Sequence, residues 1–204
     1  MRKRLMLTLA GIAAMVLLAG GAYAGVPCAG ASTVIATPDC GAYCPASDFD
    51  TVTVTVCVMD CYGTPLPGLW VVVDPIIEMV GDDPPVPGHC FCPGEAPDSC
   101  LTGIDGCCSV TFSDFGGCDT KSGDGGDCGL EFSAVCEGVE LGPSNRITTA
   151  SPDADGDCDV DLMDFIFFAG VYLGDECCSD YDCDGDVDLM DFIAFAAHYL
   201  HACP

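Results

Sequence analysis

The chain has 204 residues, with 32 Asp and Glu against 5 Lys and Arg, a formal net charge of −27 and 18 cysteines. So acidic a chain argues against nucleic acid and anionic membranes as partners, because both are held through basic patches, and it favours divalent cations. Aromatic and β-branched residues remain too plentiful for a disordered acidic tail, and the length suits one ordinary domain plus a small module.

The first 24 residues combine Met1-Arg-Lys-Arg4, an apolar run from Leu5 to Gly21 and Ala22-Tyr-Ala24. A basic start, a short apolar stretch and an Ala-x-Ala site predict a secretory signal peptide cut after Ala24, and the run is short for a membrane span. Cleavage leaves Lys121 and Arg146 against the 32 acids, a formal charge of −30. The expected product is secreted or held at the cell surface, with no membrane insertion after cleavage. At this density, cysteines in an exported chain read as a disulfide framework whose pairing spacing alone does not reveal. Zinc held by Cys90-Phe-Cys92, Cys107-Cys108 or Cys177-Cys178 is the alternative. Thirteen cysteines precede Ala150 and five follow it. Both counts are odd, so complete pairing within one chain requires at least one disulfide between the two regions.

Residues 25–50 are small and polar, with Ser32–Ala36 as the one strand-like piece. Thr51–Val58 alternates strictly, placing Val52, Val54, Val56 and Val58 on one face of a strand. The turn cluster Asp60–Gly68 and the apolar run Leu69–Val73 then predict a hairpin. Trp70 reads as a packing residue, with stacking on a sugar as the alternative. Residues 74–100 are rich in Pro, Gly and Asp and should be irregular and stapled by disulfides. Asp105-Gly106 marks a tight turn before a third strand, Cys107–Phe112. Gly116–Gly129 reads as a loop, in which Gly123–Asp127 is a candidate third calcium site. Leu130–Cys136 and Val139–Leu141 are further strands around Glu137-Gly138, and Arg146–Pro152 reads as a connector. Short strands between turn signals indicate an all-β antiparallel sandwich over residues 25–145, with 146–152 as linker.

The order Thr51–Val58, Asp60-x-x-Gly63-x-Pro65-x-x-Gly68, a strand, Thr102-x-x-Asp105-Gly106 and another strand resembles the Ig-like repeats of bacterial surface proteins of the invasin and big-like group, over residues 48–142. That resemblance implies a spacer or adhesive domain, although the cysteines and the segment 74–100 depart from it.

Residues 153–204 contain a duplication with a 27-residue offset. Asp153, Asp155, Asp157, Asp159, Asp161 and Asp164 occupy positions 1, 3, 5, 7, 9 and 12 of one window, and Asp180, Asp182, Asp184, Asp186, Asp188 and Asp191 repeat them. Calcium takes six to eight oxygens, often from a twelve-residue loop using those positions, with the backbone carbonyl serving at position 7 and water often intervening at position 9. Two carboxylates about 5 Å apart repel by about 3 kcal/mol at an effective dielectric of about 20, and a bound cation reverses that sign. Two Ca2+ ions are therefore expected, with folding of the module coupled to their binding. Apolar residues follow each loop at helical spacing: Leu162, Phe165, Ile166, Phe168, Ala169, Tyr172 and Leu173, then Leu189, Phe192, Ile193, Phe195, Ala196, Tyr199 and Leu200. Two such helices packed antiparallel should bury these faces on one another.

Two loop–helix units with Asp at position 12 resemble the type I dockerin module over residues 153–201. This implies a calcium-dependent plug for a cohesin-like or other extracellular protein, in the setting of polysaccharide degradation. By the same resemblance, positions 10 and 11 meet the partner: Leu162 and Met163, Leu189 and Met190. Their match between copies allows docking in two orientations, and internal packing of these four is the alternative. Position 6 favours Gly for a sharp turn, and carries Gly185 in the second loop but Cys158 in the first. The first loop should bind more weakly unless a disulfide fixes its shape.

The leading expectation is a secreted, non-catalytic protein in which an Ig-like domain carries a docking module. A self-associating cell-surface structural protein and a small dockerin-bearing hydrolase are the alternatives. The histidines are His89, His198 and His201, the last two at the terminal helix, and no nucleophile–base or metal–histidine constellation is legible.

Overall fold

The structure is a computed structural model that describes residues 25–45, 49–77, 79–80, 86–118 and 128–204. The signal-peptide segment and the candidate third calcium site lie outside these residues. The described chain is mostly β-sheet and disulfide-rich, with two α-helices near its C-terminal end.

The strands are β1 (Thr33–Thr37), β2 (Cys40–Ala42), β3 (Val52–Cys57), β4 (Trp70–Ile76), β5 (Met79–Val80), β6 (Val86–Pro87), β7 (His89–Phe91), β8 (Asp98–Leu101), β9 (Cys107–Phe112), β10 (Phe115–Gly117), β11 (Gly129–Cys136), β12 (Val139–Pro143) and β13 (Ile147–Ala150). One sheet runs β1-β3-β9; a second runs β2-β13-β11-β4-β8, with β12 also paired to β11. Two ribbons, β10-β7 and β5-β6, complete the set. Strict alternation produces the core, because every second residue of a strand faces the same way. Val52, Val54 and Val56 of β3 and Val110 and Phe112 of β9 pack against Val71 and Val73 of β4 and Leu130, Phe132 and Ala134 of β11. The Phe112 and Phe132 rings stack across this core at 5.0 Å.

Four expectations are corrected. β3 and β4 form no hairpin: β3 pairs with β1 and β9, and β4 with β11 and β8. Val52, Val54 and Val56 of β3 and Val71 and Val73 of β4 line one face of each strand, and meeting across the core buries both faces as well as pairing does; the segment from Val58 to Leu69 is long enough to cross between layers about 10 Å apart. Trp70 is 60% exposed, because burial of Val71 and Val73 turns its position outward. Residues 74–100 are stapled as expected, by Cys90, Cys92 and Cys100, yet contain β5 to β8. The supposed connector 146–152 includes β13, whose parallel pairing with β2 and antiparallel pairing with β11 bury Ile147, Thr149 and Ala150.

Consequently the C-terminal module is not strung on a linker. All five cysteines beyond Ala150 bond to cysteines before it: Cys40–Cys183, Cys90–Cys158, Cys92–Cys203, Cys118–Cys178 and Cys128–Cys177. Cys28–Cys61, Cys57–Cys107 and Cys100–Cys108 lie within the β-domain. Cysteine parity required one crossing, and the fold makes five. A second core continues the join, with Ala42, Cys44 and Ala150 of the β-domain packed among Val160, Phe168, Tyr181, Val187 and Phe195.

Candidate metal centres

The duplicated windows form two loops, each leading into a ten-residue helix: α1 (Leu162–Val171) and α2 (Leu189–His198). Position 9 is the N-cap of each helix. The Asp161 and Asp188 carboxylates accept from the N–H of Met163 and Met190, both at 2.6 Å, satisfying donors that a helix start leaves orphaned. Position 12 closes the capping box: the Asp161 and Asp188 N–H groups donate to Asp164 and Asp191, both at 2.7 Å. The N-cap dihedrals, φ −123° and ψ −159° against φ −124° and ψ −157°, show how closely the copies repeat.

The loops fold around position 1. The N–H groups of Gly156 (2.9 Å), Asp157 (3.2 Å) and Cys158 (3.2 Å) donate to the Asp153 carboxylate. Those of Asp184 (3.1 Å) and Gly185 (2.9 Å) donate to Asp180. Wrapping the backbone so tightly needs left-handed residues at positions 4 and 6, found at Gly156 (φ 71°) and Cys158 (φ 76°), then Cys183 (φ 59°) and Gly185 (φ 99°). Each loop thus uses one glycine and one cysteine, in opposite order. Both cysteines are tied to the β-domain, Cys158 to Cys90 and Cys183 to Cys40. The disulfide foreseen for position 6 of the first loop is present, and position 4 of the second has its own. The expected inferiority of the first loop loses its steric basis, because each loop carries one non-glycine residue in the left-handed region.

In the first loop the Asp153, Asp155 and Asp164 carboxylates come within 4.8 Å of one another, as do Asp180, Asp182 and Asp184 in the second. Asp157 and Asp184 also accept from the N–H two residues on, at 3.1 and 3.2 Å. Asp159 and Asp186, at position 7, have exposed side chains, as that position requires if its carbonyl is the ligand. Asp191 accepts from the Tyr181 N–H at 2.7 Å, as Asp164 does from Ala154 at 2.7 Å.

Electrostatics separate the copies. Asp153 is fully buried, and burial, then the Asp164 charge, pushes its pKa up to about 8. Burial raises Asp164 to about 6. At positions 3 and 7 the copies agree: Asp155 and Asp182 are raised first by desolvation, Asp159 and Asp186 first by the neighbouring Asp157 and Asp184. Crowded carboxylates with neither Lys121 nor Arg146 in either loop make a donor set of hard oxygens that fits calcium. Asp153, Asp155, Asp157 and Asp164, with Asp180, Asp182, Asp184 and Asp191, are the residues that would hold two such ions.

The helices carry a second surface. Phe165–Phe195 (6.0 Å) and Phe168–Phe192 (6.1 Å) pair in antiparallel order about a central Phe168–Phe195 stack at 5.3 Å. Mutual burial of the apolar faces is nevertheless incomplete: only Phe168 and Phe195 become fully buried. Leu162 (57% exposed), Met163 (59%), Leu189 (57%) and Met190 (58%) do not pack internally. Two helices of ten residues present more apolar surface than one contact stripe covers. The remainder forms two grooves, one of ≈ 360 Å³ between Phe165, Ala169, Tyr172 and Leu189, the other of ≈ 390 Å³ between Phe192, Ala196, Tyr199 and Leu162. Each residue of the second is the 27-residue image of one in the first.

No family model matches the chain, and no curated protein matches it. Among solved structures, the adhesin InvE of Yersinia pseudotuberculosis is 19% identical over 64% of this chain and 29% of its own, with a TM-score of 0.38. InvD of the same organism is 23% identical over 60% of this chain and 28% of its own, with a TM-score of 0.35. This chain spans less than a third of either neighbour's length.

Proposed function

We propose that this is a secreted, non-catalytic protein whose C-terminal module is a calcium-dependent plug of the dockerin type, presenting an Ig-like β-domain to a cohesin-like or other extracellular protein. One observation carries the proposal: the same loop–helix unit occurs twice, with matching caps and the same apolar residues left outside. A structural repeat alone has no need of two equivalent exposed grooves. Contiguous exposed apolar surface rimmed by polar residues marks interaction sites. Calcium at the loops neutralises the carboxylates at both helix starts, so the ions set the geometry of the face the partner meets. Polysaccharide degradation is the setting in which such plugs serve, attaching subunits to scaffolds.

Calcium titration of the chain from Gly25 onward, followed by calorimetry and amide hydrogen exchange, tests the first half. Two binding events with slowed exchange in α1 and α2 are expected; no binding up to millimolar calcium removes the reading. Chelator-sensitive capture of an extracellular protein, retained by Met163→Glu and Met190→Glu singly but lost in the double variant, tests the second half. Concentration-dependent self-association without any other partner favours instead the structural protein, for which exposed Trp70, Val72 and Leu101 on the outer face of β4 and β8 offer a surface.

A further inference from the structure

Eight disulfides use sixteen of the 18 cysteines, and Cys44 and Cys136 remain outside them. Cys136 belongs to the β-core, whereas Cys44 lies two residues beyond β2 and meets the C-terminal histidines. Its Sγ lies 3.8 Å from His201 Nδ1, and His201 Nδ1 lies 3.2 Å from His198 Nδ1. One donor atom from each of the three falls within 4.8 Å of the others. We propose that Cys44, His198 and His201 form a binding site for a borderline-soft divalent transition metal, Zn2+ in the first instance, separate from the acidic loops.

The distances carry the argument. A tetrahedral zinc ion with bonds of about 2.0–2.1 Å to nitrogen and about 2.3 Å to sulfur places two nitrogens about 3.3 Å apart and sulfur about 3.6 Å from nitrogen. The observed 3.2 and 3.8 Å match two sides of that triangle, and the third, between Cys44 and His198, is at most 4.8 Å. A thiolate with two imidazoles is a soft, nitrogen-rich donor set, in contrast to the all-oxygen loops, so the two kinds of centre select different ions. The surroundings hold the ligands in place. The Phe49 ring stacks on His198 at 3.6 Å, and the two imidazoles stand edge to face at 87°. His201 is pinned through its backbone: its carbonyl accepts from Val160 N–H at 2.7 Å, its N–H donates to the His198 carbonyl at 3.0 Å, and Cys203 is bonded to Cys92. Cys44 is buried, whereas both histidines are partly open to solvent, which leaves a fourth position for water. The site joins the β-domain to the C-terminal tail, beside the five disulfides that cross the same boundary.

Cobalt(II) titration of the whole chain from Gly25 onward, with calcium in millimolar excess to occupy the acidic loops, is the test. One equivalent of cobalt should produce a sulfur-to-cobalt charge-transfer band in the near ultraviolet with intense tetrahedral d–d bands, and Zn2+ should displace it. Cys44→Ser should abolish the charge-transfer band, His198→Ala and His201→Ala should each weaken binding at least tenfold, and Cys136→Ala should leave the spectrum unchanged. X-ray absorption on the zinc-loaded wild-type chain should find one sulfur and two imidazole nitrogens, a readout that needs no variant to fold. Absence of the sulfur band in the wild-type chain, its survival in Cys44→Ser, or an all-oxygen shell around zinc overturns the assignment.

Discussion

The two acidic loops share one sequence pattern and one backbone course but not one environment. The first is sunk against the β-domain: Asp153 is fully buried, and its carbonyl accepts from Gly117 N–H at 2.8 Å. In the second, Asp180 is only half-buried, while positions 3, 5 and 7 are exposed in both loops and position 12 is buried in both. A carboxylate repeat therefore specifies a loop's shape, while the surface it rests on decides the cost of charging it. Burial disfavours the ionised form, so without a cation Asp153 holds its proton to a higher pH than a solvated carboxylate does.

The largest expected difference is in calcium binding after loss of position 1. Asp153→Asn should weaken the first site about 100-fold, equivalent to about 2.7 kcal/mol, and Asp180→Asn should do the same at the second. Their calcium-free forms should diverge: Asp153→Asn removes a charge the buried site resists and should raise the melting temperature at pH 8, whereas Asp180→Asn should leave it nearly unchanged. Calorimetry and thermal melts read both, and equal behaviour of the two calcium-free variants erases the distinction between the loops.

A smaller effect is expected from pH. The folded pKa of Asp153, about 8, lies above its unfolded value near 3.9. The protonated acid thus favours the calcium-free fold, and that contribution is lost as pH rises from the unfolded value through the folded one. Calcium needs the ionised form, so affinity at the first loop should rise between pH 6 and pH 8 with proton release, by about tenfold per proton per pH unit. The second loop should change less, and proton release is measurable by calorimetry in buffers of different ionisation enthalpy.

The smallest concerns the left-handed cysteines. With Cys90→Ser to remove the partner, Cys158→Gly should be more stable than Cys158→Ala by about 1 kcal/mol, because glycine accepts φ 76° without a Cβ clash. With Cys40→Ser, Cys183→Gly against Cys183→Ala should show the same margin. Denaturant unfolding measures each pair, and a zero difference in either means that the loop adopts another turn once its disulfide is removed.

The acidic windows, the helices after them, and strands β1, β3, β4, β9, β11 and β12 were legible in the sequence. Each rests on local periodicity or spacing that one segment carries by itself. The left-handed Glu137-Gly138 turn was equally readable, since two residues set it. Cysteine parity reached further, requiring a covalent join across Ala150 without naming any partner.

Tertiary structure alone decided the rest, because those features depend on which segments meet. Pairing of β13 with both β2 and β11 turned a supposed linker into interior sheet. Assignment of β3 and β4 to opposite sheets sent Trp70 outward. Two of the five crossing disulfides, Cys90–Cys158 and Cys40–Cys183, restrain the left-handed cysteines, of which only the restraint on Cys158 was anticipated. Cys44 stands 157 residues from His201, a separation at which no spacing rule operates. Local pattern determines what a segment is able to become; the packing of distant segments determines which faces are buried, which carboxylates resist their charge and which side chains converge on an ion.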